Sequence, residues 1–373
     1  MLKQLIALPS VSCTIPALDM GNRKVIDALA EWLENMGFDL EVQTVSSDGS
    51  KANLVATAGK GSGGLVLAGH TDTVPFDEGL WESDPFLLTE ADGRLYGLGT
   101  ADMKSFFALV IEALRDLDLS ELQHPLIILA TADEETSMNG ARALSSGDLH
   151  GARFAVIGEP TGLRPVRMHK GMMMEAITLT GQSGHSSNPA LGNSALEAMH
   201  KVITELLQWR AELQAANRNP LFEIPVPTMN LGHIHGGDNP NRICGHCELQ
   251  IDIRPLPGMA LDDLRTELEH RLQTSLGGTQ IDFRTRALFA GVPAVETPAE
   301  SPLVIATEKL TGTKAEAVAF STEAPFYNNL GMDTVVLGPG DINQAHQPNE
   351  YIAITRIKPM VELIKDLVYR FCM

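Results

Sequence analysis

The stretch ILATADEETS runs an apolar segment into three consecutive acids, Asp133, Glu134 and Glu135. If residues 125–132 form a buried strand, three negative charges leave a sheet at one point, and water or a cation must compensate them. The arrangement recurs along the chain. LVLAGHTDT carries His70 out of an apolar run, with Asp72 two residues on, and FAVIGEP carries Glu159 out of another. GLGTADMK sets Asp102 at the start of a helical segment, and GPGDINQAHQPNE brings His346 after a further apolar run. Singly, each has a plain explanation: a structural histidine, a helix cap, a solvated charge run. Together, at one edge of one sheet, they read as a metal site.

Two histidines and three carboxylates make five ligands. If one carboxylate bridges, each of two divalent cations receives three protein ligands and keeps a position for water, the open coordination of a catalytic site. A nitrogen and oxygen donor set without thiolate favours zinc, with cobalt or manganese as substitutes. Glu134 and Glu135 are neighbours whose side chains diverge on an extended backbone, so one can bind metal while the other takes a proton from the water and returns it to a leaving amine. Asp72 stands where its carboxylate could accept the second ring N–H of His70 and fix the tautomer a metal needs.

The elements that must position these residues follow from apolar patterning. Val25, Ile26, Leu29, Leu33 and Met36 recur at helical spacing before Gly37. Short apolar runs at 54–57, 65–68, 126–130 and 154–157 read as strands, with a helical segment at 104–117 between the second and third. Strands alternating with helices predict a doubly wound α/β sheet whose ligands gather beyond the carboxyl ends of its strands. The middle third reads differently: strand 172–180, helix 193–213, strands 228–234 and 248–254, helix 261–276, strand 279–286. That order is βαββαβ, a ferredoxin-like α+β pattern. Gly171 and the Pro-bearing stretch 291–302 are the expected hinges. A helix near 301–310, a strand at 334–337 and a helix at 357–371 then resume the α/β style. The reading is one discontinuous catalytic domain, 1–170 with 289–373, carrying an inserted domain at 171–288.

Composition narrows the partners. The 28 basic residues against 47 acidic give a formal charge of -19, which argues against nucleic acid and anionic membrane. The apolar stretch in MLKQLIALPSVS is too short for a signal peptide, and no segment approaches the roughly 20 apolar residues that span a bilayer. Four cysteines do not make a disulfide framework, so the expected location is the cytoplasm. Cys244 and Cys247 spell CGHC, but the motif leads into a strand and has no second pair. A redox or structural zinc role is therefore disfavoured. The methionines at 172–174 read as packing.

Over essentially the whole chain, through GHTDTVPFD, GLGTADMK, ATADEETS, IGEPT, GQSGHSS, NRICGHCELQIDIRPLPG and INQAHQPNEY, the sequence resembles the metal-dependent aminoacylase and carboxypeptidase family of co-catalytic zinc hydrolases. The resemblance implies hydrolysis of a small N-acyl amino acid, with N2-acetyl-L-ornithine, in arginine biosynthesis, as the expected substrate. Sister activities on N-succinyl-diaminopimelate or dipeptides are the alternatives. STEA at 321–324 stands where desuccinylases usually carry a GTSD-like stretch, and many relatives have Cys at the Ser321 position. A non-catalytic metal-binding protein is disfavoured by an intact Glu134 beside a full ligand set.

Carried over by position, the resemblance implies that His70 and Glu159 hold one cation, that Glu135 and His346 hold the other, and that Asp102 bridges them. Glu134 is then the general acid/base and Asp72 the partner of His70. A cis peptide is expected between Asp102 and Met103, with Ser105 where many relatives have Gly. The inserted domain is expected to act as lid and dimerisation domain of a homodimer. From it His185 would polarise the scissile carbonyl, commonly in the partner subunit's site, and Arg242 with Asn239 would anchor the substrate carboxylate. Glu323 would meet a substrate amino group.

Overall fold

A computed structural model describes residues 1–373 and divides the chain into two compact units. The first comprises Met1–Arg167, Thr297–Glu316 and Thr322–Met373; the second comprises Met168–Glu296 and Ala317–Ser321.

The first unit is built on a mixed sheet. Its order runs Asp39–Thr44, Ala52–Ala58, Leu126–Thr131, Leu65–His70, Phe154–Ile157, Asp333–Val336. The last four strands are mutually parallel, while the first two form an antiparallel edge. Leu65–His70, Leu126–Thr131 and Phe154–Ile157 are buried along their whole length, the signature of strands covered on both faces. Helix Arg23–Asn35 lays Val25, Ile26, Leu29 and Leu33 into the core, and helices Lys104–Leu114 and Ile357–Cys372 pack into the same cluster. Gly37 follows the first of these at φ 94°, a left-handed position that glycine takes without steric cost.

Register decides where the polar residues emerge. Leu65 pairs with Leu126 and with Phe154, so His70, the residues after Thr131 and the residues after Ile157 leave the sheet at one edge. The parallel strand Asp333–Val336, in register with Phe154–Ile157, sends the segment bearing His346 out at the same edge. This is the carboxyl edge at which open α/β sheets collect ligands.

The second unit has strands in the order Thr228–Gly236, His246–Arg254, Met173–Thr180, Asp282–Ala287, all antiparallel, with helices Ala195–Ala216 and Leu261–Ser275. In chain order this is βαββαβ, and Trp209, Leu206, Ile177, Leu249 and Leu268 share its separate core. The chain returning from Ala287 stays with this unit through reciprocal Met172 and Val292 backbone bonds of 2.8 Å. Lys170 N–H likewise donates to the Val318 carbonyl at 3.2 Å, drawing 317–321 in. No helix is long and apolar enough to cross a membrane.

Candidate metal centre

His70 is the last residue of its strand and is 1% exposed. Its Nδ1 lies 3.0 Å from the Asp72 backbone carbonyl and 3.6 Å from the Asp72 carboxylate. The carbonyl is therefore the nearer acceptor for the Nδ1–H, which leaves Nε2 facing Asp102 Oδ1 at 3.1 Å and Glu159 Oε1 at 3.8 Å. The Asp72 carboxylate does something the sequence reading did not anticipate. Its two oxygens accept the backbone N–H groups of Glu134, at 3.2 Å, and Glu135, at 3.1 Å.

The three acids after Thr131 part company. Asp133 adopts φ 60°, and its carbonyl accepts the N–H groups of Ser137 and Met138 at 3.0 and 2.6 Å, closing a turn. Its carboxylate pairs with Lys51 Nζ at 2.6 Å and accepts the Ser12 hydroxyl at 2.9 Å. Lys51 thus compensates the first of the three charges, and Glu134 and Glu135 are left to the centre.

Asp102 is buried, and its peptide to Met103 is cis. It does not cap the following helix: Met103 is the N-cap, without a side-chain cap bond. Asp102 instead offers Oδ1 to His70 and Oδ2 to His346, whose Nε2 stands 3.5 Å away and 3.1 Å from Glu135. One carboxylate between two imidazoles is the arrangement a bridging ligand requires. The His346 side chain is half exposed, 53%, so the centre opens to solvent on that flank.

Electrostatics ask for positive charge. Burial, and then Glu159, hold Glu134 well above the ordinary carboxylate range. Burial and Asp102 raise Glu135 and push Glu159 up to about 8. Asp102 goes the other way: burial opposes its ionisation, yet His346 and His70 hold it below the usual range. Hydrogen bonds to Asp102 and Glu135 push His346 up to about 10. Burial pulls His70 down, but Glu159, Asp102 and Asp72 carry it well above its ordinary value.

The ion pairs that Asp102, Glu135 and Glu159 make are with histidine. Counting Glu134, four carboxylates face two imidazoles, so with every carboxylate ionised the cluster would be net negative even with both rings protonated. Divalent cations would replace the protons these groups now hold. Donor atoms of His70, Asp102 and Glu135, and of His70, Glu134 and Glu159, lie within 4.8 Å of one another. That spacing is close to what ligands of one ion about 2.0–2.2 Å away require, so small side-chain movements would bring them onto it. Glu134, expected as proton carrier and not as ligand, belongs to the second of these groups.

The remaining expected residues are His185, Asn239, Arg242 and Glu323. His185, Asn239 and Arg242 are exposed in the second unit. His185 and Arg242 face each other across an isolated antiparallel bridge, and Asn239 and Arg242 line a cleft of about 690 Å³. The His185 Nδ1 accepts the Ser187 hydroxyl at 2.8 Å, and the Arg242 guanidinium pairs with Asp238. Glu323 is fully buried, accepting the Tyr327 hydroxyl at 2.9 Å, and burial pushes it up to about 7. It presents no surface to solvent. Cys244 and Cys247 are free thiols, the second buried in the strand His246–Arg254.

Glu350 was not singled out from the sequence, though it lies in INQAHQPNEY, four residues beyond His346. It is buried, and its carboxylate accepts the backbone N–H groups of Gly99, Ala101 and Asp102. Burial and the Asp102 charge push it up to about 8 against the pull of those amides. An acid just past a candidate ligand histidine was the only available signal.

Comparison with known proteins agrees with this geometry. Peptidase family M20/M25/M40 matches residues 66–370. The chain is 53% identical over 371 residues to acetylornithine deacetylase from Proteus mirabilis, spanning 100% of this chain and 96% of that protein. It is likewise 53% identical over 370 residues to acetylornithine deacetylase from Pectobacterium carotovorum, spanning 99% and 96%. Among solved structures, aminopeptidase PepT from Bacillus cereus superposes with a TM-score of 0.76 at 19% identity, over 98% of this chain and 96% of that one. An M20 family metallo-carboxypeptidase from Sulfolobus solfataricus gives 0.75 at 19% identity, over 98% and 97%. These two likenesses speak for the fold alone. With a family match over most of its length and full-length relatives above half identity, the chain belongs to peptidase family M20/M25/M40 and is a metal-dependent hydrolase.

Proposed function

We propose that this chain hydrolyses the amide of N2-acetyl-L-ornithine, giving L-ornithine and acetate for arginine biosynthesis, at a two-cation centre. The observation that carries the chemistry is Asp102 set between His70 and His346, with Glu134, Glu135 and Glu159 crowded around it. The substrate rests on the full-length likeness to acetylornithine deacetylases.

In this reading His70 and Glu159 hold one cation, Glu135 and His346 hold the other, and Asp102 is shared. The nitrogen and oxygen donors suit zinc, with cobalt or manganese as substitutes. Such cations, when bound, polarise the scissile carbonyl and make a water molecule acidic. Glu134, whose proton affinity is raised by burial and by Glu159, takes the proton of the attacking water. It returns that proton to the departing nitrogen as the carbon–nitrogen bond breaks, so acetate and a free amine leave. Asp72 holds the Glu134 and Glu135 backbone in place through its two amide bonds. Glu323, fully buried but within electrostatic reach of His70 and Asp72, answers a substrate amino group through its charge.

The second unit serves as lid and dimerisation domain of a cytoplasmic homodimer. His185 donates to the developing oxyanion in the partner subunit's site, and Arg242, assisted by Asn239, binds the substrate carboxylate. Their pairing across one bridge supports a joint role, and four free cysteines suit a reducing compartment.

The test is hydrolysis of N2-acetyl-L-ornithine by zinc- or cobalt-reconstituted protein, beside N-succinyl-diaminopimelate and several dipeptides. A preference for acetylornithine that chelation abolishes is the expected result. Turnover confined to another amide overturns the substrate assignment and leaves the two-cation chemistry standing.

A further inference from the structure

Glu350 is 1% exposed and faces backbone donors. Its Oε1 accepts the N–H groups of Ala101, at 2.7 Å, and Asp102, at 3.0 Å, while Oε2 accepts that of Gly99 at 3.1 Å. Its own carbonyl accepts the Gly97 N–H at 3.0 Å. Residues 97–103 belong to no helix or strand, so these N–H groups have no ladder to satisfy them. An ionised carboxylate is acceptor only and can take three converging N–H bonds. A glutamine of the same shape cannot, because its amide nitrogen would face an N–H and repel it. Both carboxylate oxygens act as acceptors, and the three amides therefore call for a side chain that ends in two oxygens.

The other side of Glu350 is anchored as firmly. It directly precedes the strand Tyr351–Ala353, which pairs with Arg94–Tyr96 in the register Tyr351 to Tyr96, Ile352 to Leu95 and Ala353 to Arg94. That ladder fixes the backbone at Glu350 relative to the segment entering 97–102. Glu350 also ends the loop that carries His346, so one side chain ties the loop of His346 to the loop of Asp102. Those loops deliver the 3.5 Å approach of Asp102 Oδ2 to His346 Nε2.

We propose that Glu350 is a positioning residue that sets the separation of Asp102 and His346 and so builds the cation site on the His346 side, an inference that rests on the two-cation reading above. Glu350 touches neither cation nor substrate. Its effect falls chiefly on the site that Asp102 shares with His346 and Glu135; the site of His70 and Glu159 also uses Asp102 but depends on Glu350 less, because His70 and Glu159 are placed by their own strands.

The experiment is calorimetric titration of chelator-treated, full-length protein with Co²⁺, followed also by the visible cobalt spectrum at one and two equivalents. Wild type, Glu350→Gln and Glu350→Asp are compared, with thermal melts of each. In Glu350→Gln one tight site is expected to persist, while the other weakens about 10- to 100-fold and its cobalt spectrum changes. The kcat falls with it and KM moves little. Two sites of unchanged affinity and spectrum, with only a lowered melting temperature, would overturn the positioning role. If Glu350→Gln does not fold, Glu350→Asp decides: a selective loss at one site supports the proposal, and equal losses at both sites reject it. Wild type binding fewer than two cations would instead overturn the two-cation reading, and the proposal with it.

Discussion

Replacing Asp72 by asparagine changes one atom's chemistry at almost constant volume. Asp72 is 2% exposed, and its oxygens accept the Glu134 and Glu135 N–H groups at 3.2 and 3.1 Å. Asparagine keeps one acceptor, and its NH₂ group must point at the other amide hydrogen or rotate away. The loss is one hydrogen bond to a charged group, about 1.5–3 kcal/mol, with a buried N–H left facing a donor. At about 1.4 kcal/mol per tenfold, that is a factor of about 10 to 100 in whatever depends on the position of those two glutamates. Indirect supports of metal ligands commonly show effects of the same size. Because the two amides belong to a candidate ligand and a candidate proton carrier, cation affinity and kcat should both fall. Chelator-competition titration and steady-state hydrolysis, read beside a thermal melt, measure the two quantities. Values of both within about threefold of wild type, in a folded variant, would refute the claim that Asp72 holds this corner in place.

Glu134→Gln should lower kcat by about a hundredfold to ten-thousandfold while cation content stays at the wild-type level; substantial residual turnover would show that the proton is carried elsewhere. Lys51→Met strands the Asp133 carboxylate, 9% exposed, with the Ser12 hydroxyl as its remaining donor. It should cost about 3 kcal/mol of stability, and a melting temperature equal to wild type would contradict that. In the second unit, burial pushes the fully buried His169 down to about 4 from its ordinary 6.5. The unfolded chain therefore binds a proton in that interval which the folded chain refuses. Stability should drop as pH falls from about 6.5 towards about 4, by about 3 kcal/mol at most. Urea titrations of wild type and His169→Asn across the window read this directly, and identical pH slopes would dismiss the histidine as the cause.

The strands were legible because buried parallel strands are continuous apolar runs, and Leu126–Thr131 and Leu65–His70 lie where their composition places them. The βαββαβ order of the second unit was legible because its alternating strands and long helices differ in period. Convergence of His70, Asp102, Glu135, Glu159 and His346 then followed from topology. What the sequence withheld depends on partners far along the chain. That Asp133 turns away rests on a left-handed turn and on Lys51, 82 positions earlier. That the Asp72 carboxylate serves two amides as well as standing 3.6 Å from the imidazole depends on the backbone path at 134–135. The role of Glu350 spans 248 to 251 positions, and no local pattern announces it. The full burial of Glu323 beside Tyr327 was hidden for the same reason, since exposure of a lone acid is the default expectation.

The central claim is that this cluster works as a pair of cation sites. The direct test is stepwise addition of zinc to chelator-treated protein, with bound metal and N2-acetyl-L-ornithine hydrolysis followed together. The account predicts that bound metal reaches two equivalents per chain, that turnover rises with it, and that His346→Ala loses one equivalent and nearly all turnover. Full turnover in metal-free protein, or saturation at a single equivalent unaffected by His346→Ala, would contradict it.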